Sequence, residues 1–330
     1  MIELIHLTKE FKKPIRGKGL SGMIKTLFSR KYEVIEAVKD VSFTINEGEI
    51  VGYIGSNGAG KSTTIKMMCG ILTPTKGKVL IDGVEPYLKR KQVAPKIGVV
   101  FGQKTQLWWD IPLIESFKVL KEIYQISDED YEERLHFLFE VLSIDKFLSQ
   151  PVRTLSLGQR MRADLAASLL HNPQILFLDE PTIGLDVLAK QKIREAIKLM
   201  NAKYKTTVIL TTHDMNDIED LCSSVVMIEK GSIIYDGPLI NIKHKFGNIK
   251  TLVLSVDPQL NLDDVAKFKG NIEIKKEEDR VEIRFDADKV KLENVINYAF
   301  ATLKATDMKV NDISIETVVK KILSEQEKSK

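Results

Sequence analysis

Short apolar runs rich in β-branched residues recur along the chain up to about residue 240, and they alternate with stretches of helical periodicity. Such runs are typical of strands that are buried on both faces of a largely parallel sheet. The pattern therefore predicts an α/β layer architecture. The predicted strands are residues 49–54, 97–101, 175–178, 207–211 and 225–228.

Between the second and third of these strands the pattern becomes helical. Leu135, Leu138, Phe139 and Leu142 share one face of a predicted helix, and the acidic residues 128–130 suit its N-terminus. We therefore expect a helical subdomain over about residues 104–170.

A new pattern begins after residue 240 and predicts a small α+β domain over residues 241–330, with roughly ferredoxin-like order. Its many charges are typical of a solvated face, so we expect an accessory or regulatory domain. The predicted elements are a strand at 251–256, a helix at 262–268, strands at 272–276 and 281–285, a helix at 292–303, a strand at 313–315 and a last helix through 319 and 322.

Residues 12–32 form a basic insertion that contains no acidic residue. Its apolar residues Met23, Ile24, Leu27 and Phe28 give it amphipathic character. Two interpretations stay open: a short helix at a membrane surface or partner subunit, and a solvated excursion between two strands. Nucleic-acid binding is a weaker third.

Composition narrows the class of protein. The chain has 330 residues, 43% hydrophobic and 29% charged, which is enough for a large core and a second domain. The net charge of +3 is too small to indicate nucleic-acid binding. Cys69 and Cys222 have no metal-ligand spacing, so a reducing cytosol fits. We expect neither a signal peptide nor a membrane span, because no apolar run approaches about 20 residues.

A glycine-rich loop between a predicted strand and a predicted helix carries the first chemical motif. Residues 55–62 match the pattern G-x-x-x-x-G-K-[ST]. Backbone N–H groups of such a loop surround phosphate oxygens, Lys61 reaches the β- and γ-phosphates, and the Ser62 hydroxyl can ligate Mg²⁺. The residues expected to hold the phosphates are Gly55, Ser56, Asn57, Gly58, Ala59, Gly60, Lys61, Ser62 and Thr63.

Two carboxylates follow the apolar strand 175–178. Asp179 and Glu180 should lie at the C-terminal edge of the sheet, where open α/β sheets bind ligands. Asp179 suits Mg²⁺ and its waters, and Glu180 suits a general base that polarises the attacking water. Many strands end in Asp-Glu without a catalytic role, but the phosphate loop upstream favours the catalytic interpretation.

With a third motif, Leu155-Ser156-Leu157-Gly158-Gln159, these features resemble the ATP-binding subunits of ABC transporters over about residues 1–240. The resemblance implies a P-loop NTPase fold of the ABC type, hydrolysis of ATP with Mg²⁺, and a homodimer that sandwiches the nucleotides. The family's motif is usually Leu-Ser-Gly-Gly-Gln, from which Leu157 departs. Ser156, Gly158 and Gln159 are expected to bind the γ-phosphate of ATP held on the opposite subunit.

Further positions match this family residue by residue. Gln103 resembles the Q-loop glutamine that contacts Mg²⁺ or the attacking water, Asp186 the D-loop residue that crosses the dimer interface, and His213 the switch histidine that contacts the γ-phosphate. Phe11 matches the aromatic residue that stacks on adenine, and Tyr32 is its rival. The resemblance thus implies catalytic roles for Lys61, Gln103, Glu180 and His213, and metal contacts for Ser62, Gln103 and Asp179.

Trp108 and Trp109 lie in the region that, in this family, receives a coupling helix from the membrane subunit. Two adjacent tryptophans cannot easily face one core, so we expect at least one to be an exposed interface anchor. The alternative is that both are partly buried in the subdomain. The resemblance implies a permease partner around Gln103 to Trp109 and a peripheral location on the cytoplasmic face of the cell membrane.

The resemblance is closer to exporter ATPases with a C-terminal α+β extension, so we expect an exporter. An importer ATPase stays open, although its regulatory C-terminal domain is usually all-β. A non-transport ABC ATPase acting on ribosomes or DNA is a further alternative. Such proteins usually carry two cassettes or long coiled coils, and this sequence has neither. We expect no nucleic-acid partner.

Overall fold

The structure is a computed structural model, and it describes residues 1–14, 32–102, 104–245, 249–312, 315–319 and 322. The chain divides into two compact units, Met1–Gly237 and Pro238–Lys330. The predicted basic insertion lies outside the described residues except at its two ends, which belong to strands.

A six-stranded sheet forms the centre of the first unit. The strands of this unit are β1 (Ile2–Pro14), β2 (Tyr32–Ile45), β3 (Ile50–Ile54), β4 (Lys76–Ile81), β5 (Ile97–Phe101), β6 (Ile175–Asp179), β7 (Thr207–Thr211), β8 (Ser224–Glu229) and β9 (Ser232–Pro238). The order in the large sheet is β5-β6-β7-β3-β8-β9, and the pairs from β5 to β8 are parallel. The largely parallel sheet and its five predicted strands are confirmed.

Burial explains why these strands read as continuous apolar runs. Strands β3 and β7 are buried at every position, and β6 at every position except its last. Strands covered on both faces need no polar alternation. Because β6, β7 and β3 are consecutive parallel strands, the residues that follow them, which include Lys61, Glu180 and His213, leave the same edge of the sheet.

A smaller antiparallel sheet, in the order β2-β1-β4, holds the helix that follows the phosphate loop. One hydrophobic core joins the small sheet, the large sheet and this helix. Leu7 and Ile45 contribute from the small sheet, Phe177 from the large sheet and Met67 from the helix. The start of the helix is therefore fixed at the sheet edge by packing on both sides.

Among the described residues, the helices of the first unit are α1 (Lys61–Met68), α2 (Arg90–Val93), α3 (Leu113–Tyr124), α4 (Asp128–Leu142), α5 (Leu157–Leu169), α6 (Val187–Tyr204) and α7 (Met215–Leu221). Helices α3, α4 and α5 lie in the range 104–170, where the sequence predicts a helical subdomain. At the start of α4 the Ser127 side chain accepts a hydrogen bond from the Asp130 N–H, and acidic residues fill the first turn. On the predicted apolar face of α4, Leu135, Leu138 and Leu142 are buried and Phe139 is half-buried.

The second unit contains an antiparallel sheet of four strands among its described residues. Its elements are α8 (Leu239–Lys245), β10 (Ile249–Ser255), β11 (Ile272–Glu277), β12 (Arg280–Asp286), α9 (Leu292–Ala301) and β13 (Asp307–Asp312). The order β11-β12-β10-β13, antiparallel throughout, is that of a ferredoxin-like sheet. Val295 and Ala299 of α9 contribute to its core.

The predicted helix over residues 262–268 is wrong. The chain forms only a 3₁₀ turn at Leu262–Asp264 and then an irregular segment. Its apolar residues Leu262, Val265 and Phe268 instead pack individually against the core.

The predicted last strand is also misplaced. Strand β13 ends at Asp312, residue 315 is already helical, and residues 313 and 314 lie outside the described part. In β13 only Met308 and Val310 are apolar, and they alternate with polar residues at the edge of the sheet. The weak alternation of this edge strand is a poorer signal than the two isoleucines, Ile313 and Ile315, that follow it in the sequence.

Candidate nucleotide-binding site

The phosphate-binding loop connects β3 to α1. Gly58 and Gly60 have φ angles of 80° and 113°, a region that glycine adopts without strain. A Cβ at Gly60 would lie 2.5 Å from the Ala37 carbonyl oxygen, and one at Gly55 would lie 2.0 Å from a carbonyl oxygen of β8. Helix α1 begins directly at Lys61, so its unpaired N–H groups belong to this loop. The loop can therefore bind an anion through backbone donors and the helix dipole.

Lys61 is buried at the base of the loop. Its Nζ donates to the carbonyl oxygens of Gly55 at 2.7 Å and Ser56 at 3.1 Å. Burial lowers the pKa of Lys61, and the charges of Glu180 and Asp179 oppose that shift. The ammonium group is thus placed where it can exchange carbonyl oxygens for phosphate oxygens.

The carboxylate at the end of β6 joins the phosphate loop to β7. Asp179 Oδ1 accepts hydrogen bonds from Thr211 Oγ1 at 2.7 Å and from Ser62 Oγ at 3.3 Å. A hydroxyl beside a carboxylate is a donor set that Mg²⁺ accepts, because this ion prefers oxygen ligands and completes its octahedron with waters and substrate phosphates. Ser62 and Asp179 therefore supply oxygen ligands that would fit a magnesium ion.

Glu180 and His213 meet beside this carboxylate. Glu180 has a φ of 59°, which is uncommon for a residue with a side chain and is typical of strained functional positions. Its N–H donates to the Thr211 carbonyl oxygen at 3.0 Å, which holds this backbone in place. Its Oε1 lies 2.9 Å from His213 Nε2. Burial raises the pKa of Glu180, and the charges of His213 and Lys61 oppose that shift.

A cavity of about 430 Å³ opens among these side chains, within the range of about 300–1,000 Å³ usual for small-molecule sites. Its lining residues are Ser62, Lys66, Ile71, Phe101, Gly102, Lys104, Asp179 and Glu180. The Gly102 N–H donates to the Asp179 carbonyl oxygen at 2.8 Å, and a Cβ at Gly102 would lie 2.4 Å from the Glu180 carbonyl oxygen. The chain therefore passes close to both carboxylate residues just before Gln103, which lies outside the described residues.

The signature motif is preformed at the N-terminus of α5. Ser156 Oγ accepts from the Gln159 N–H at 3.2 Å, and Gln159 Oε1 accepts from the Ser156 N–H at 2.8 Å, which is a capping box. A Cβ at Gly158 would lie 3.2 Å from Ala189 Cβ. None of the residues that line the cavity, within the described ranges, belongs to the motif. The structure thus brings the phosphate loop, both carboxylates and His213 together but leaves the signature motif outside.

Asp186 begins α6 in a similar way. Its Oδ1 accepts from the Ala189 N–H at 2.8 Å. The next two residues, Val187 and Leu188, are 79% and 73% exposed, and Ile183 and Leu157 are exposed as well. Contiguous exposed apolar residues of this kind are typical of an interaction surface.

The two aromatic candidates for adenine lie at different distances from the phosphate loop. Phe11 of β1 pairs with Ile35 of β2, and Tyr32 lies three residues before Ile35, at the start of β2. Both aromatic rings are exposed. The Ala37 carbonyl oxygen lies against Gly60. At about 3.3 Å per residue, the Phe11 pair is about 7 Å along the strand from this contact, whereas Tyr32 is about 17 Å from it.

Trp108 and Trp109 are 40% and 46% exposed, so the expected exposure of at least one of them is confirmed and holds for both. The Arg160 guanidinium lies 5.5 Å from the centre of the Trp109 ring. Arg160 follows the signature motif directly, so the tryptophans lie beside the helix that carries it.

Several residues that hold the site were not singled out from the sequence. Thr211 bonds Asp179, and Glu229 accepts a hydrogen bond from Ser56 Oγ at 2.6 Å. Asp217 is completely buried behind the site. The sequence does give a signal for Thr211, because this residue ends β7 two residues before His213. It gives none for Asp217, because an acidic residue in the first turn of a short helix is usually exposed.

The comparisons with known proteins agree with this geometry. The family described as ABC transporter matches residues 38–183. The ABC transporter ATP-binding protein NatA of Bacillus subtilis (strain 168) is 34% identical over 212 residues, which cover 64% of this chain and 86% of NatA. The methionine import ATP-binding protein MetN 2 of Enterococcus faecalis is 33% identical over 226 residues, which cover 67% of this chain and 65% of MetN 2.

A solved structure shares the fold. It is the dimeric post-hydrolysis state of the ATP-binding cassette MJ0796 bound to ADP and Pi, with a TM-score of 0.60 and 28% identity, covering 72% of this chain and 99% of that chain. Within the part of the chain that the structure describes, no helix is both long enough and apolar enough to cross a membrane. The fold, the order of the motifs and these relatives show that the chain belongs to the ABC transporter family, as an ATP-binding subunit with the P-loop ATPase fold.

Proposed function

We propose that this chain powers a membrane exporter by hydrolysing ATP in the cavity at the ends of β3 and β6, as one half of a nucleotide-sandwich homodimer. The observation that carries the proposal is that Ser62, Asp179 and Glu180 line one cavity, with His213 2.9 Å from the Glu180 carboxylate. Lys61 lies next to Ser62, buried at the base of the phosphate loop. This set supplies phosphate binding, metal ligands and a proton acceptor in one place.

The phosphate chain of ATP binds along the loop from Gly55 to Thr63. Backbone N–H groups and the start of α1 surround the phosphate oxygens, and Lys61 neutralises the β- and γ-phosphates. Ser62 and Asp179 hold Mg²⁺, with Gln103 as a further ligand. When bound, the ion neutralises negative charge that develops on the phosphate oxygens.

Glu180 acts as the general base. It takes a proton from a water that attacks the γ-phosphorus in line as the bond to the ADP oxygen breaks. His213 Nε2, 2.9 Å from Glu180 Oε1, orients this carboxylate. In the proposed mechanism it also contacts the γ-phosphate. Lys61 stays beside the phosphates and stabilises the charge of the transition state.

A second copy of the chain completes each site. The signature residues Ser156, Gly158 and Gln159 do not line the cavity of their own chain, and they form a preformed helix N-terminus suited to a phosphate. The exposed apolar residues beside Asp186 supply surface for contact between the two copies. Each ATP is then enclosed by the phosphate loop of one subunit and the signature motif of the other.

Phe11 stacks on adenine in this arrangement. Phe11 pairs with Ile35, two residues along β2 from Ala37, which contacts the phosphate loop at Gly60. This separation of about 7 Å is one that ribose and the phosphates can span. Tyr32 lies too far along the hairpin. Phe11→Ala should therefore raise the KM for ATP, and Tyr32→Ala should leave it unchanged; the reverse result would assign the role to Tyr32.

The permease docks around Gln103 to Trp109, and the chain works as a peripheral subunit on the cytoplasmic face of the cell membrane. The two half-exposed tryptophans support this surface, because aromatic residues are enriched in interfaces. Recovery of an integral membrane protein with the tagged chain, and its loss with Trp108→Ala and Trp109→Ala together, would support the assignment. Undiminished recovery with this double variant would place the docking surface elsewhere.

The second unit favours export over import. It combines a four-stranded sheet with helices, whereas the C-terminal domain of importer ATPases is usually all-β. The relative named for methionine import makes the opposite direction the natural alternative. Cells that produce only the Glu180→Gln chain should accumulate the transported compound if the transporter exports it, and should lack it if the transporter imports it. Comparison of cellular metabolites with those of native cells distinguishes the two directions.

The central test compares ATP turnover of the native chain with that of Glu180→Gln, while size-exclusion chromatography follows dimer formation in ATP and Mg²⁺. The variant should be inactive and trapped as an ATP-bound dimer. Glu122→Gln, a change on the exposed side of α3, is the matched control and should behave as the native chain. Equal turnover in native chain and Glu180→Gln would remove Glu180 from its role and refute the mechanism.

A further inference from the structure

Helix α5, which carries the signature motif, is tied to residues 104–109, here named the tryptophan segment. Asp164 of α5 is buried. Its Oδ1 accepts from Thr105 Oγ1 at 2.8 Å and from the Gln106 N–H at 3.1 Å. The Asp164 carbonyl oxygen accepts from Gln106 Nε2 at 3.1 Å. Three hydrogen bonds therefore join one residue of α5 to two consecutive residues of the tryptophan segment.

A second contact lies one turn closer to the signature motif. Arg160 is four residues before Asp164, so both side chains leave the same face of α5. The Arg160 guanidinium lies 5.5 Å from the centre of the Trp109 ring, a cation–π contact. The tryptophan segment is thus held by α5 at its start, through Thr105 and Gln106, and at its end, through Trp109.

The segment itself is stiff between these two contacts. Thr105 Oγ1 accepts from the Leu107 N–H at 3.1 Å, and the Leu107 side chain is buried. The Trp108 N–H donates to Ser116 Oγ at 3.3 Å. A short segment that is hydrogen-bonded at Leu107 and Trp108 should transmit a displacement of α5 rather than absorb it.

We propose that Asp164 is a positioning residue that makes α5 and the tryptophan segment move as one body, so that ATP of the partner subunit bound at the signature motif displaces the tryptophans. This inference rests on the proposed sandwich dimer. The link needs the acceptor oxygen rather than the charge, since both side-chain bonds end on Oδ1 and a neutral carboxyl or carboxamide offers the same acceptor. Burial accordingly raises the pKa of Asp164 to about 6, so the neutral form is readily accommodated.

The tryptophans supply the measurement. The chain has two tryptophans, and both lie in this segment, so intrinsic tryptophan emission reports the segment alone. In the Glu180→Gln chain, emission is recorded before and after ATP and Mg²⁺, and size-exclusion chromatography of the same samples measures the dimer. The variants added to this background are Asp164→Ala, which removes the acceptor, Asp164→Asn, which keeps it, and Thr105→Val, which removes the hydroxyl donor.

We expect the Glu180→Gln parent and Asp164→Asn to change emission when ATP forms the dimer. Asp164→Ala should still form the dimer but lose most of the change in emission. Thr105→Val, which leaves both Gln106 bonds in place, should form the dimer with a smaller change than the parent, and Asp145→Ala, at an exposed acid elsewhere in the subdomain, should keep the full change. Thr105→Val supplies the test if Asp164→Ala does not fold. A change of undiminished size in Asp164→Ala or Thr105→Val dimers would overturn the link, as would a parent dimer with unchanged emission. A parent that does not dimerise in ATP instead refutes the sandwich mechanism itself.

Discussion

Asp217 holds together the two loops that carry Glu180 and His213. It is completely buried at the start of α7. Its Oδ2 accepts from Thr182 Oγ1 at 2.5 Å and from Thr212 Oγ1 at 2.9 Å, and its Oδ1 accepts from Arg194 Nε at 2.6 Å. Replacement by alanine leaves all three donors without this acceptor.

The cost of Asp217→Ala can be worked from these contacts. Removing one partner of a buried ion pair costs roughly 3–5 kcal/mol. Arg194 keeps contacts to Asp214 and Asp220, so the lower value of about 3 kcal/mol applies. In a unit of this size each kcal/mol lowers Tm by about 2–4 °C, so the first unit should melt roughly 6–12 °C lower.

Asp220→Ala is the matched control, because Asp220 binds the same arginine at 3.0 Å but is 49% exposed. An exposed pair contributes about 0–1 kcal/mol, so its Tm should fall by at most about 4 °C. Differential scanning calorimetry measures both variants, and ATP turnover at a temperature below both transitions should fall for Asp217→Ala alone. Equal Tm values for the two variants would refute the assignment of Asp217 as the buried centre of this network.

Three further outcomes follow from the site and its surroundings. Gly60→Ala should abolish ATP binding in isothermal titration calorimetry, because the new Cβ would lie 2.5 Å from the Ala37 carbonyl oxygen. Gly58 has open space around it, so Gly58→Ala should lower stability only by the strain of a left-handed alanine, about 1–2 kcal/mol. Turnover at saturating ATP should decline as pH falls through the raised pKa of Glu180, because protonation removes the base; a pH–rate profile with no acidic decline would contradict this role. The contribution of Asp164 to the free energy of unfolding should decrease as pH rises from 3.8 to about 6, because the folded chain holds the Asp164 proton more tightly than the unfolded chain. In denaturant titrations the free energy of unfolding of the native chain should therefore fall relative to that of Asp164→Asn over this range.

The parts of the fold that the sequence predicts correctly are those in which one residue type is required by local geometry. Gly60 has a backbone conformation and a neighbour that exclude a side chain, so the phosphate loop is recognisable from its glycines. Strands β3, β6 and β7 lie inside a parallel sheet, so their sequences are apolar throughout. Strand β13 shows the opposite case, because only Met308 and Val310 of its six residues are apolar.

Asp164 and Asp217 could not be predicted because their roles depend on residues distant in sequence. Asp164 bonds Thr105, 59 positions away, and Asp217 bonds Thr182, 35 positions away. Spacing rules for helices and strands reach only a few residues, so they are silent about such pairs. A partial signal does exist for Asp164, which lies within the otherwise small and apolar run Ala163 to Ala167 of α5; an acid there must either be exposed or be hydrogen-bonded.

The departure of Leu157 from the usual motif has a structural explanation in the same region. Position 157 is the first residue of α5, after the Ser156 cap, so its side chain leaves the capping box intact. A Cβ at Gly184 would lie 3.1 Å from Leu157 Cδ2, so the leucine occupies the space beside a glycine that adopts a φ of 71°. Leucine at 157 therefore adds a contact between the signature motif and the loop that leads to Asp186, and a glycine there would lack it. Because α5 also holds the tryptophan segment through Asp164, one helix connects the surface proposed for the partner subunit to the surface proposed for the permease.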